Sequence, residues 1–241
     1  EHLPGGNGAR NYGFKMSQGE YIQWFDSDDL MDSSKLKVQL SNNKVFQLSV
    51  CKGLTFGAVN SITWPEDLIH TNITENLVWQ RTRWATGSII WSREFIKELK
   101  WNESLKGAQE WNFNIIASFF IDEKKVIFIN DVLFKIRQGN NSISSDLDKA
   151  VRLERYLKSR IELLKYLWMH EKFFFVRYFK IITGFSMRYI KYLSLHGDKK
   201  LIFDFLRISK KYSLILFVKM TVGLVIYMIF KKDFLLKNSI K

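Results

Sequence analysis

One cysteine, two prolines and four histidines among 241 residues remove several kinds of chemistry at the outset. The lone thiol, Cys51, rules out an internal disulfide and suits a reducing compartment. The histidines are scattered and share no metal-ligand spacing. No nucleophile, histidine and acid combine into a triad. The chain begins with Glu1 and not Met, so the lack of a leader signal is uninformative. There is no internal repeat. Acidic residues are scarce in one half only. Residues 150–241 hold 20 of the 37 Lys and Arg but 6 of the 24 Asp and Glu, a net of +14 against −1 for the rest. The basic character thus belongs to the tail, and an anionic surface is the partner expected for the tail alone. Its cations are interleaved with large aliphatics instead of Gly, Ser and Asn, so no nucleic-acid partner is expected.

The most informative stretch is residues 7–29, which runs from a Gly-rich turn through a helix into a strand and ends in Asp26, Asp28 and Asp29. Tyr21 and Ile22 begin an apolar strand that Trp24 and Phe25 continue. The carboxylates then emerge at a strand's carboxyl end, where open α/β sheets bind ligands. Crowded carboxylates repel one another unless a cation neutralises them, and hard oxygen ligands suit Mg²⁺ or Mn²⁺. A solvated Asp-rich turn fits those three residues equally well.

The wider pattern decides between the two. Ala9-Arg10-Asn11-x-Gly13, then Gly19-Glu20-Tyr21-Ile22, then Phe25-Asp26-Ser27-Asp28-Asp29 resembles the family 2 glycosyltransferases, enzymes of the GT-A fold, in order and spacing. A weaker resemblance runs on to about residue 145. It implies an α/β fold class, a partial GT-A domain over residues 1–146, followed by an all-helical tail over residues 147–241. No apolar strand or nucleotide-binding turn precedes Gly5, whereas relatives hold the nucleotide base there, so the chain reads as the carboxyl-terminal part of a longer enzyme.

By the same resemblance, Asp28 coordinates the metal, Asp26 is shared between metal and nucleotide ribose, and Asp29 supports the turn. Arg10 and Asn11 contact the nucleotide from a loop, with an Arg10–aspartate pair as the structural alternative. The run Gly107-Ala108-Gln109-Glu110-Trp111 resembles the family's base motif, with Glu110 in place of Asp at a helix start, where the helix dipole favours negative charge. An ordinary first-turn Glu is the alternative there. Arg137 follows the last strand, where relatives often carry Arg-x-His, and would contact the diphosphate. Two further runs carry less. Glu66-Asp67 lies too close to Asp28 for the family's spacing and reads as surface. Gln80-Arg81-Thr82-Arg83-Trp84 has the form of a processive-synthase signature but precedes Glu110 instead of following it. Trp79 and Trp84 suit either an acceptor wall or the core.

Local patterns predict a helix from Asp32 or Ser33 to Leu40, strands at Val45–Val50 and Leu54–Ile62 broken at Gly53 and Gly57, and a helix near Ser92. A further helix is expected over Gln109–Phe120 and two strands over Val126–Ile129 and Val132–Arg137, before a polar linker at Asn140–Ser144. In the tail, Arg177, Lys180, Arg188 and Lys191 fall on one helical face and the remaining circumference carries Phe173, Phe174, Phe179, Ile182, Phe185, Tyr189, Ile190 and Leu193, a pattern suited to a bilayer interface. Packing against the chain's own helices is the rival. Leu214–Phe230 is at the lower limit for a span and has Lys pairs on both sides, which favours an in-plane or re-entrant segment over a true span or a core helix.

The resulting expectation is a metal-dependent inverting transferase. It would use a nucleotide-diphosphate sugar and a saccharide or lipid-linked saccharide acceptor, in surface polysaccharide synthesis at the cytoplasmic face of a bacterial membrane. The alternative is a non-catalytic membrane-binding remnant of such an enzyme.

Overall fold

The computed structural model describes residues 5–41, 45–57, 62–65, 67–138 and 148–230. The chain divides into two compact units, Glu1–Ser145 and Asp146–Lys241. Glu66 and the Asn140–Ser144 linker lie outside the described residues.

In chain order the first unit contains α1 (Gly6–Met16), β1 (Tyr21–Ile22), β2 (Leu30–Met31), α2 (Lys35–Leu40), β3 (Leu48–Phe56), β4 (Thr63–Trp64), α3 (Ile73–Val78), β5 (Ile89–Ser92), α4 (Arg93–Ile96), α5 (Gln109–Ser118) and β6 (Val126–Arg137). Its sheet has the order β1-β5-β3-β6-β2, with β4 also paired to β3. β3 and β6 run parallel, and every other pair is antiparallel. The central strand β3 is buried on both faces, with Leu48, Ser49, Val50 and Cys51 fully buried, as a strand covered on two sides is.

The strand boundaries differ from the sequence expectation at three places. β3 continues through Gly53, because the Phe134 ring of β6 fills the place of the missing side chain: a Cβ there would stand 2.3 Å from the ring. Gly57, in contrast, does end the strand, with φ 89°. The two strands expected between Val126 and Arg137 are one, β6, whose pairing with β3 shifts register around Asn130 and Asp131. β1 stops at Ile22, so Trp24 and Phe25 lie beyond the ladder. Trp24 turns into the core instead, edge-on to Trp101 and Phe113 at 5.3 Å each.

α2 starts later than expected, with Ser34 and not Asp32 or Ser33 at the N-cap position and no side-chain cap bond; the Asp32 carboxylate accepts from the Ser34 N–H and hydroxyl in the turn before it. Ser92 precedes only the single turn of α4, without a side-chain cap bond, and the strand before it, β5, is not among the expected elements.

Among the described residues the second unit holds four helices: α6 (Lys149–His170), α7 (Lys172–His196), α8 (Lys199–Tyr212) and α9 (Leu214–Phe230). Asp148 and Asp198 cap α6 and α8 by accepting from the N–H of Ala150 and Lys200. The apolar side of α7 packs on α6, α8 and α9, with Phe175, Phe179, Ile182, Ile190 and Leu193 buried. Phe179 stacks on Tyr212 at 4.4 Å. The residues expected at a bilayer interface thus pack largely within the unit, and α7 exposes Arg177, Lys180 and Arg188 together with Phe173 and Val176. α9 buries Met220 and Leu224 but exposes Leu214, Ile215, Val218, Val222, Val225 and Ile229. Among the described residues no helix is long and apolar enough to cross a membrane.

Candidate active site

Four segments far apart in sequence meet around the carboxylate turn. Asp26–Asp29 is closed by the N–H of Asp29 donating to the Asp26 carbonyl at 3.1 Å. On one side stands Arg10, on α1 and not in a loop. Its guanidinium donates to Asp26 Oδ1 at 2.8 Å, to Gln109 Oε1 at 3.0 Å and to Asn7 Oδ1 at 3.1 Å. It also lies over the Trp101 ring, 4.6 Å from the centroid. Arg10 therefore ties the carboxylate turn to the first turn of α5, where Glu110 follows Gln109. Gly6 leaves room for this guanidinium, since a Cβ there would sit 3.3 Å from its Nη1.

On the other side Arg137, the last residue of β6, clasps the same turn. Its backbone N–H donates to Asp29 Oδ1 at 2.9 Å and its Nε to the Asp28 carbonyl at 3.0 Å. Burial raises the Asp29 carboxyl to about 6; the Arg137 N–H pulls it back, while the charges of Asp26 and Asp28 add to the rise. Asp28 is exposed and Asp26 half-buried.

Asn11 has a different setting. Its side chain accepts from the Trp101 N–H at 2.9 Å and donates to the Trp101 carbonyl and to Glu103, each at 2.8 Å. These bonds fasten α1 to the Trp101 segment. Trp101 itself is buried and stacks on Phe113 of α5 at 4.4 Å. Trp101 and Gln109, which hold Arg10 in place, were not singled out from sequence; the only signal was that Gln109 adjoins Glu110.

Glu110 is half-buried in the first turn of α5. The preceding Ala108 takes a left-handed conformation (φ 49°, ψ 39°), a strained state for a residue with a Cβ. The other aromatic and acidic candidates separate. Trp84 is core, and Trp79 is partly exposed with Arg81 over its ring at 5.4 Å. Arg83 lies over Trp64 at 4.4 Å. The backbone carbonyl of Asp67 accepts from Thr82.

The sequence model described as "Glycosyl transferase family 2" matches residues 1–102. Those residues are a family 2 glycosyltransferase domain. The match spans Arg10, Asn11, Asp26 and Asp28 and ends before Glu110 and Arg137. A comparison with curated proteins finds no match. A family 2 domain is a glycosyl-transfer domain and implies a nucleotide-sugar donor and an acceptor.

A divalent ion can be tested against the donors present. Among the described residues no group of three or more His, Cys, Asp and Glu is placed to hold a metal. The turn instead offers the exposed Asp28 carboxylate and the half-buried Asp26, one oxygen of which already meets Arg10. Two hard oxygen donors with repelling charges fit Mg²⁺ or Mn²⁺ of the kind completed by substrate phosphates, and do not fit an all-protein cage.

Proposed function

We propose that this family 2 glycosyltransferase domain transfers a sugar, with inversion, from a nucleotide-diphosphate donor to a hydroxyl of a saccharide or lipid-linked saccharide. The supporting observation is the Arg10 bridge, which links the Asp26 carboxylate to Gln109, the residue before Glu110. In this reading Asp28 and Asp26 hold Mg²⁺ or Mn²⁺, which when bound supplies positive charge against the leaving diphosphate. Arg10 positions Asp26. Arg137, whose backbone and side chain brace the turn, adds a cation on the diphosphate side.

Glu110 accepts the proton of the attacking hydroxyl as its oxygen bonds to the anomeric carbon. The bond from that carbon to the diphosphate breaks with its electron pair, and the nucleoside diphosphate leaves. The tail's charge asymmetry and the exposed aliphatic side of α9 support a working place at an anionic membrane surface, the cytoplasmic face in this reading. A surface polysaccharide is then the product class.

The test is calorimetric titration with UDP and GDP, with and without Mn²⁺, on wild type and Asp28→Ala. Wild type should bind nucleotide more tightly with Mn²⁺, and the variant should lose that dependence along with transfer. Metal-dependent binding that survives in the variant would remove Asp28 from the site. Absence of nucleotide binding by wild type would favour a non-catalytic membrane-binding module.

A further inference from the structure

The helical unit holds a cavity of about 510 Å³ that the transfer chemistry does not use. It is lined from α6, α7 and α9, and its polar lining holds three cations, Lys149, Arg188 and Lys191, with the His196 imidazole and the phenols of Tyr189, Tyr192 and Tyr227. Among the described residues no carboxylate lines it. Of the acids next to lining residues, Asp148 accepts from the Ala150 N–H and Glu154 from the Asp198 N–H. Aromatic faces hold the cations in place. The Lys149 ammonium stands 4.4 Å from the Tyr192 ring centre and Lys191 5.8 Å from that of Tyr227, while Tyr192 contacts His196 at 4.8 Å.

Like charges gathered along a concave, solvent-open surface repel one another and concentrate positive potential, which an anion relieves. The volume lies in the range of small-molecule sites. Arginine, lysine and phenol hydroxyls together match the several oxygens of a phosphate, which accept charge-assisted bonds from each.

We propose that this cavity binds a phosphate or diphosphate ester. The group can come from a lipid headgroup or from a soluble phosphate, and the two sources separate by experiment. The whole chain, carrying Asp28→Ala and in EDTA to silence the candidate active site, is titrated with inorganic pyrophosphate. It is also titrated with vesicles containing phosphatidic acid or phosphatidylglycerol at matched surface charge. The pocket variant Lys149→Gln/Arg188→Gln/Lys191→Gln is compared with Lys172→Gln/Arg177→Gln/Lys180→Gln, which removes the same charge from α7 residues that do not line the cavity.

Saturable pyrophosphate binding, weakened about tenfold or more in the pocket variant and about twofold or less in the control, supports the site with a soluble source. A preference for phosphatidic acid over phosphatidylglycerol that only the pocket variant loses supports it with a lipid source. Equal losses in both variants overturn the proposal in favour of diffuse electrostatics, as does absence of saturable binding to every probe. The single change Arg188→Gln, at an exposed side chain, keeps the comparison open should the triple variant fail to fold. Because the readout is binding without metal or transfer, the result is independent of the assigned catalysis.

Discussion

Lys35 is a fully buried cation with amide partners instead of a counterion. Its ammonium donates to Gln23 Oε1 at 2.6 Å and to Gln39 Oε1, and Gln39 in turn donates to the Ser49 and Ser88 carbonyls. The network reaches the segment that enters the carboxylate turn, because Gln23 stands three residues before Asp26. Burial lowers the Lys35 pKa from 10.5 to about 8. The unfolded chain therefore binds more protons than the folded one between those values, and stability rises with pH across that window. Cys51 acts in the opposite sense, since burial raises its thiol from 9.0 to about 11 and stability falls as pH rises through that range. Between pH 8 and 9 Lys35 acts alone. Stability measured by urea unfolding should climb there by about 1 kcal/mol, and Lys35→Met should flatten the rise. A slope unchanged in that variant would assign it to another group. For catalysis, Glu110→Gln keeps shape and hydrogen bonding but removes basicity. Donor affinity should persist while turnover falls about 10²-fold or more. Near-normal turnover would hand the proton to another carboxylate, with Asp67 next in line.

At the scale of elements, the helices were easier to read than the strands. The apolar spacing after Ser34 announces α2, and Phe113 with Ile116 announces α5, because 3.6-residue periodicity is a local property; neither helix carries a side-chain cap. Strand limits are set by partners. Gly53 has the look of a break, yet β3 passes through it because Phe134 lies across the strand at that point. Gly53→Ala should therefore destabilise the first unit by about 1–3 kcal/mol through overpacking, seen as a lowered melting temperature. Phe134→Leu in the same chain should recover part of the loss. If Gly53→Ala alone melts like wild type, the ring does not hold this place. The short β1 and the inward turn of Trp24 have the same origin: an aromatic cluster with Trp101 and Phe113 claims a side chain that alternation would leave in the strand.

For the molecule as a whole, charge is the organising quantity, with −1 on residues 1–149 and +14 on the rest. The exposed basic stripe of α7 and the aliphatic side of α9 should act on membranes through separable forces. Binding of the protein to anionic vesicles should weaken with salt, at about 1 kcal/mol for each basic residue near the surface. Changing Arg177, Lys180, Arg188 and Lys191 to Gln should abolish the preference for anionic over neutral vesicles. Salt-insensitive binding should remain through Leu214, Val218, Val222 and Val225. Equal binding of wild type to neutral and anionic vesicles, measured by sedimentation, would refute the role of the stripe.

The carboxylate turn, the helix start at Gln109, the order α/β then helical, and the uneven charge were all legible along the chain, because each depends on neighbours within a few residues or on composition alone. What closes the candidate site was not. An Arg10–aspartate pair stood as an alternative in the sequence, but that Arg10 also reaches Gln109, that Arg137 clasps a turn more than a hundred residues away, and that Asn11 faces Trp101 follow from long-range packing of α1, α5 and β6. The basic cavity likewise draws Lys149, Arg188 and Tyr227 from three helices. Such contacts have no period or spacing in the sequence, and only the burial of apolar faces against one another decides which polar side chains are brought within hydrogen-bonding reach.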